Sequence, residues 1–159
     1  MIKGGGGFRF STRSQYAIVV LVDLAFSGKG NVRSVNDIAT SWDLSPKYIN
    51  QLVIPLRKKG YIQSLPGVNG GYLLEMSPQS IRVIDIVDLM DGQFGLCSNV
   101  VEPNSCPQSD SCKPFPFWFL ISQKMRGVLA DLTLKDLIRA YSAPSAKAEP
   151  KRKSNKGRQ

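Results

Sequence analysis

The sequence predicts a mainly α-helical fold with a small β-hairpin wing, built as a helix-turn-helix, a hairpin and a long apolar helix. Three observations carry this. Two short helical segments meet at a Ser45-Pro46 restart, two β-type runs follow at once around an Asn-Gly turn, and residues 116–131 repeat apolar side chains at helical spacing.

Thr12–Phe26 places Tyr16, Val19, Val20 and Leu24 at helical intervals. Thr12 is expected to cap its start and Ser27-Gly28 to end it. Ser34 with Asp37 makes a variant capping box, predicting a short helix that ends near Trp42, with Leu44 buried in the turn. Ser45 is the expected N-cap of the next helix. Pro46 takes its first position, where no backbone N–H is needed. Tyr48, Ile49, Leu52, Val53 and Leu56 continue the period. Pro55 is expected to kink or shorten this helix, and Gly60 to close it. Two short helices joined by a turn of a few residues form a helix-turn-helix.

Tyr61–Leu65 and Tyr72–Met76 read as strands, with Pro66–Gly71 as their turn and Asn69-Gly70 favouring positive φ. A helix-turn-helix followed directly by a hairpin is a winged helix. Ser80–Met90 reads as an amphipathic helix, Ile81, Ile84 and Val87 inward, Asp85 and Asp88 outward. Leu96–Pro114 reads as a loop. In Pro116–Asp131, Phe117, Leu120, Ile121, Met125, Val128 and Leu129, with Leu132 beyond, form a stripe too long for a small winged helix to cover. The expectation is that it pairs with its copy in a second subunit. Leu134–Tyr141 is a short last helix.

Composition narrows the chemistry. A chain of 159 residues with 42% hydrophobic content is long enough for one well-packed domain, plus an attachment. The absence of histidine rules out Ser-His and Cys-His nucleophilic pairs, the H-E-x-x-H zinc site and Cys/His zinc fingers. With no C-x-x-C and no phosphate or dinucleotide loop, an enzyme is not expected. No signal peptide or membrane-length apolar run is visible, which predicts a soluble, cytoplasmic protein without membrane partners. The net charge of +9 suggests a polyanionic partner. Five of those nine charges lie in residues 144–159, where six cations face Glu149 alone. The expected organisation is a flexible leader over 1–7 and a winged helix-turn-helix over 8–78. The cysteine loop and dimerisation helices then occupy 79–143, and a basic, disordered tail 144–159.

A recognition helix offers its N-terminal side chains to base edges in the major groove. The candidates are Ser45, Pro46, Lys47, Tyr48, Asn50 and Gln51, where Asn and Gln can bond adenine bidentately and Lys can reach guanine or phosphate. Arg57, Lys58 and Lys59 suit phosphate. The wing tip is neutral, so Asn69 and the N–H of Gly70 are its expected contacts. Cys97, Cys106 and Cys112 are the three cysteines of the chain, spaced C-x8-C-x5-C within sixteen residues. Clustering favours a thiolate or soft-metal role. Zinc fits poorly, needing four ligands and closer spacing. An iron–sulfur cluster also needs a fourth ligand, and a redox-active thiol pair needs none.

These residues resemble the bacterial winged-helix family of the iron–sulfur cluster regulator, the nitric-oxide-sensing repressor and the cysteine-metabolism repressor (IscR/NsrR/CymR-type regulators). The resemblance spans roughly Phe8–Ile138. Its most specific parts are S-P-K-Y-I-N-Q-L with L-R-K-K-G-Y-I, then G-V-N-G-G-Y-L-L, then the three-cysteine loop before a Trp118-containing helix. It implies a homodimeric DNA-binding transcription regulator, a repressor, reading a partly palindromic operator in double-stranded DNA. It also implies that Cys97, Cys106 and Cys112 hold a [2Fe-2S] or [4Fe-4S] cluster whose state sets operator affinity. The family's fourth ligand is a histidine three residues after the third cysteine, here Phe115, or an acidic residue near the N-terminus, here matching Gln15. That ligand therefore stays open. The alternative is the same fold without a cluster, sensing by thiol oxidation or by binding a small molecule or partner. Many members carry arginine before the first wing glycine. This chain has Pro66, so no arginine is expected in the minor groove.

Overall fold

A computed structural model of the chain describes residues 10–93, 95–96 and 113–142. The expected leader over 1–7, the tail over 144–159 and all three cysteines lie outside the described residues. Helix α1 spans Thr12–Phe26, α2 Val35–Trp42 and α3 Pro46–Lys58. Strands β1 (Ile62–Leu65) and β2 (Gly71–Leu74) follow, then a 3-10 turn at Pro78–Ser80, α4 (Val83–Asp91), α5 (Phe115–Asp131) and α6 (Leu134–Ser142).

The core forms where the apolar period of each helix points at α1. Ala17, Val20, Leu21 and Leu24 of α1 are buried with Ile38 of α2, Ile49, Leu52, Val53 and Leu56 of α3, and Ile62 of β1. Ile81, Ile86 and Met90 and, from α6, Leu134 close the same core from the other side. The strands pair antiparallel, with Ile62 opposite Leu74 and Leu65 opposite Gly71.

Several boundaries moved for local reasons. Ser11, not Thr12, caps α1, its hydroxyl accepting the Ser14 N–H at 3.1 Å. The Ser11 backbone N–H donates to Asp91 at the end of α4 (3.2 Å), and its hydroxyl donates to the same carboxylate, so one residue closes α1 and ties two helices. The Ser34–Asp37 capping box is complete, with both reciprocal bonds formed. Ser45 occupies the N-cap of α3 without a side-chain bond. Helix α3 runs on past Pro55 to Lys58. The missing Pro55 N–H orphans only the carbonyl of exposed Gln51, which water can satisfy.

The helix expected from Ser80 begins at Val83. Ile81 is fully buried in extended backbone instead, where the segment around Arg82 bridges Thr133: Leu134 N–H donates to Ile81 C=O at 2.8 Å and Val83 N–H to Leu132 C=O at 2.8 Å. That pairing outcompetes another helical turn. Asp85 and Asp88 do face outward, but each is half-buried in an ion pair, with Arg82 (2.8 Å) and Arg126 (2.7 Å).

Candidate nucleic-acid interface

Helix α3 divides cleanly. Ile49, Leu52, Val53 and Leu56 are buried, while Ser45, Pro46, Lys47, Asn50 and Gln51 are exposed along one side. The buried face holds the helix rigidly, and the exposed face leaves two amides and an ammonium free of the core. Arg57, Lys58 and Lys59 sit exposed at the C-terminal end, where cations also complement the helix dipole. Tyr48 plays a different part from its neighbours. It is half-buried, its ring edge-on to Tyr16 at 5.8 Å, and so docks α3 on α1.

The turn expected at Asn69-Gly70 is made otherwise. Positive φ falls on Gly67 (117°), following Pro66, and Asn69 is not among the positive-φ residues. Gly70 and Gly71 are needed for close approach: a Cβ on Gly70 would overlap the Leu65 carbonyl oxygen, and one on Gly71 the Arg33 carbonyl oxygen. Asn69 is exposed at the tip, Gly70 half-buried, and Val68 fully exposed beside them.

The wing is fastened to the helices through Arg33. Its N–H donates to Tyr72 C=O at 2.8 Å and its C=O accepts from Tyr72 N–H at 2.9 Å, adding one bridge to the edge of β2. Its guanidinium donates to Asp23 at 3.0 and 3.3 Å and to the Ser41 hydroxyl at 2.7 Å. Asp23 is 8% exposed and also accepts from the Trp42 indole N–H at 2.9 Å. The Asp23 bond, more than the desolvation that opposes it, raises the Arg33 pKa. One buried carboxylate thus joins α1, the segment before the helix-turn-helix, the end of α2 and the wing. Sequence reasoning noted Asp23 only as an interruption of an apolar run. The signal was there, since a buried acid needs a partner, but no pattern says which of twenty-one cations supplies it.

The other end of the molecule is anchored by polar groups and leaves its apolar side bare. In α5 one residue is buried, Ser122, whose hydroxyl accepts the Leu96 N–H at 3.0 Å. Arg126 grips Asp88 of α4 with two bonds, at 3.0 and 2.7 Å, and the bond to Asp88 raises its pKa. Phe117 is 66% exposed, Leu120 58% and Val128 63%. Met125 and Leu129 are half-buried.

Of the residues implied as cluster ligands, only Gln15 is described. It lies exposed on the first turn of α1, its amide donating to Phe10 C=O at 2.8 Å. Among the described residues no three Asp, Glu, His or Cys side chains could hold a metal ion, and no helix is long and apolar enough to cross a membrane.

A supported recognition helix beside an anchored hairpin defines a winged-helix, DNA-binding regulator. The chain belongs to the Rrf2 family, described as iron-dependent transcriptional regulators, whose pattern matches residues 10–140. It is 34% identical over 134 residues to protein rrf2 of Nitratidesulfovibrio vulgaris, covering 84% of this chain and 89% of that one. The solved structure of CymR, the global cysteine regulator of B. subtilis, superposes with a TM-score of 0.68 at 29% identity, covering 84% of this chain and 98% of that one. IscR of T. potens superposes with a TM-score of 0.67 at 28% identity, covering 87% and 91%. The chain is a transcription regulator and not an enzyme.

Proposed function

We propose that two copies of this chain pair through α5 and act as a repressor, each α3 reading half of a partly palindromic operator. The observation that carries this is the exposed row of Lys47, Asn50 and Gln51 on a helix whose opposite face is fully buried. Asn50 and Gln51 take the base edges. Lys47, with Arg57 and Lys58, takes phosphate or guanine, and Ser45 and Asn69 take the backbone; the Gly70 N–H, expected to join them, instead donates to the Gly67 carbonyl at 2.9 Å inside the turn. Pro46 sets the start of α3, and Tyr48 fixes its seat. The bare apolar side of α5 supports pairing, since a monomer seldom exposes several large apolar side chains in one stripe. Two-fold pairing in turn implies half-sites separated by one helical turn of DNA, about 34–36 Å, or a multiple of it.

The test is selection of bound duplexes from a random library, followed by affinity measurement. Asn50→Ala with Gln51→Ala should weaken the selected site by about 1–3 kcal/mol per bidentate contact, with the thermal midpoint unchanged. Equal affinity of variant and native protein for that site would overturn the assignment.

The signal proposed is an iron–sulfur cluster, [2Fe-2S] or [4Fe-4S], held by Cys97, Cys106 and Cys112. Three clustered thiolates suit iron, and the bound cluster would supply the redox or iron-dependent state that the repressor reports. The cysteine segment is framed by α4 and α5, and its entry at Leu96 is bonded to buried Ser122, a described route from that segment to the pairing helix. One observation favours a second reading, clusterless thiol or ligand sensing. Neither position that the resemblance points to supplies a strong fourth ligand: Phe115 has no donor atom and its ring lies 5.9 Å from Phe119, and Gln15 offers only a neutral amide oxygen, its amide N–H donating to Phe10. Similarity to CymR and IscR alike is compatible with both. Iron and sulfide assay after anaerobic isolation separates them: stoichiometric iron supports the cluster, and colourless protein after reconstitution overturns it.

A further inference from the structure

Ile54 departs from the rule that buries the other large apolar residues of its helix. Ile49, Leu52, Val53 and Leu56 are buried, whereas Ile54 is 49% exposed and does not belong to the half-buried apolar residues packed against the core. Folding supplies no reason for isoleucine here. Its β-branch lowers helix propensity, and half of its surface stays in water.

The position has a second property. Ile54 follows Asn50 by four residues and Gln51 by three, so Lys47, Asn50, Gln51 and Ile54 share one face of α3 at i, i+3, i+4 and i+7. A helix lying in the major groove presents that spacing to base edges. Arg57, also exposed, continues the same face by a further turn. The apolar side chain therefore stands in a row of amides and cations.

Its chemistry selects what it can meet there. Isoleucine neither donates nor accepts a hydrogen bond, so it cannot hold a phosphate or a polar base edge. In the major groove guanine, adenine and cytosine offer polar groups, and thymine adds a methyl group at C5. Against any other base the side chain would take water from a donor or acceptor without replacing it. Its single preferred χ1 in a helix holds the apolar surface in one place.

We infer that Ile54 is a base-reading residue, which selects thymine through its C5-methyl group. The inference rests on the DNA-reading function proposed above and adds to its two amides a contact read by shape. Ile54 lies about 6 Å along the helix axis from Asn50. The thymine therefore falls within about two base-pair steps, roughly 3.4 Å each, of the bases that the amides take.

The probe is the library-selected duplex with each thymine replaced in turn by uracil, which keeps every hydrogen-bonding group and removes the methyl. The native chain should lose roughly fourfold in affinity for the methyl removed from each half-site, the worth of one buried methyl group. The sensitive thymine should lie within two steps of the bases that Asn50→Ala with Gln51→Ala ceases to select. Ile54→Ser should bind the thymine and uracil duplexes equally and select sites degenerate at that position. Serine matches isoleucine in helix propensity, so its thermal midpoint should stay at the native value.

A native chain indifferent to uracil at every thymine near those bases would overturn the inference, as would Ile54→Ser protein that still tells thymine from uracil. A fall in thermal midpoint as large as that of a truncated core leucine would make Ile54 a packing residue instead. A changed oligomeric state with the uracil effect intact would make it a protein contact. The two proposals fail separately: a native chain that selects no sequence fails the DNA-reading function, and a selected site whose thymine methyls are all silent fails Ile54 alone.

Discussion

The winged helix and α5 were built from the same kind of pattern, and they ended differently. In α3 apolar residues three and four positions apart are buried: Ile49, Leu52, Val53 and Leu56 meet α1 and β1. In α5 the equivalent residues Phe117, Leu120 and Val128 stay more than half exposed, and the buried group is a serine hydroxyl. An apolar stripe announces that something will cover it, not that the same chain will. Polar groups hold α5 in place, through Ser122 and Arg126, so its apolar face is left available to a partner.

That contrast can be broken first at the core. Leu52→Ala should cost about 2–5 kcal/mol, the range for a buried leucine that leaves a cavity, measured by urea unfolding at fixed protein concentration. A loss as small as that of a surface residue would mean the α1–α3 interface is not the core. Gly71→Ala should cost about 1–3 kcal/mol by overpacking, because its Cβ overlaps the Arg33 carbonyl. Amide exchange should then speed up at Arg33 and Tyr72 first, as their bridge opens.

Ser34→Ala should cost about 1 kcal/mol for the lost cap, with a change in pH dependence. The Ser34 hydroxyl, then its backbone N–H, hold Asp37 below the usual carboxylate range, and the Thr133 hydroxyl does the same for Asp136. A depressed carboxyl pKa contributes stability that is present above the unfolded value, about 3.9, and lost as pH falls through the folded one. Native thermal midpoints should therefore drop on acidification below that value, and Ser34→Ala should drop less. An equal drop would place the titration elsewhere.

The smallest effect on unfolding belongs to α5. Val128→Ser should change monomer stability by no more than about 0.5 kcal/mol, as for an uncoupled surface site, while light scattering shows the pair dissociating more readily. If Val128→Ser destabilises the fold as Leu52→Ala does and leaves assembly untouched, the two regions do not differ in this way.

Much of this was legible in residues alone. The order of helices, the Ser34–Asp37 box, the Pro46 start and the hairpin follow from local signals: caps, period and turn residues act within a few positions of the chain. The exposed row of α3 follows too, since burying one face of a helix leaves the other outside. The departures were non-local. Ile81 gave up a helical turn because Leu134 and Leu132 offered backbone partners fifty residues on. Asp23 found Arg33, Ser11 displaced Thr12 as a cap by also bonding Asp91, and Tyr141 folded back onto Trp42. Sequence by itself determined which segments are helix, strand or turn and which faces want cover, because those depend on neighbours in the chain. Tertiary structure alone decided which charges pair, where the wing is fastened and which apolar face stays bare, because those depend on groups that meet only after the chain has folded.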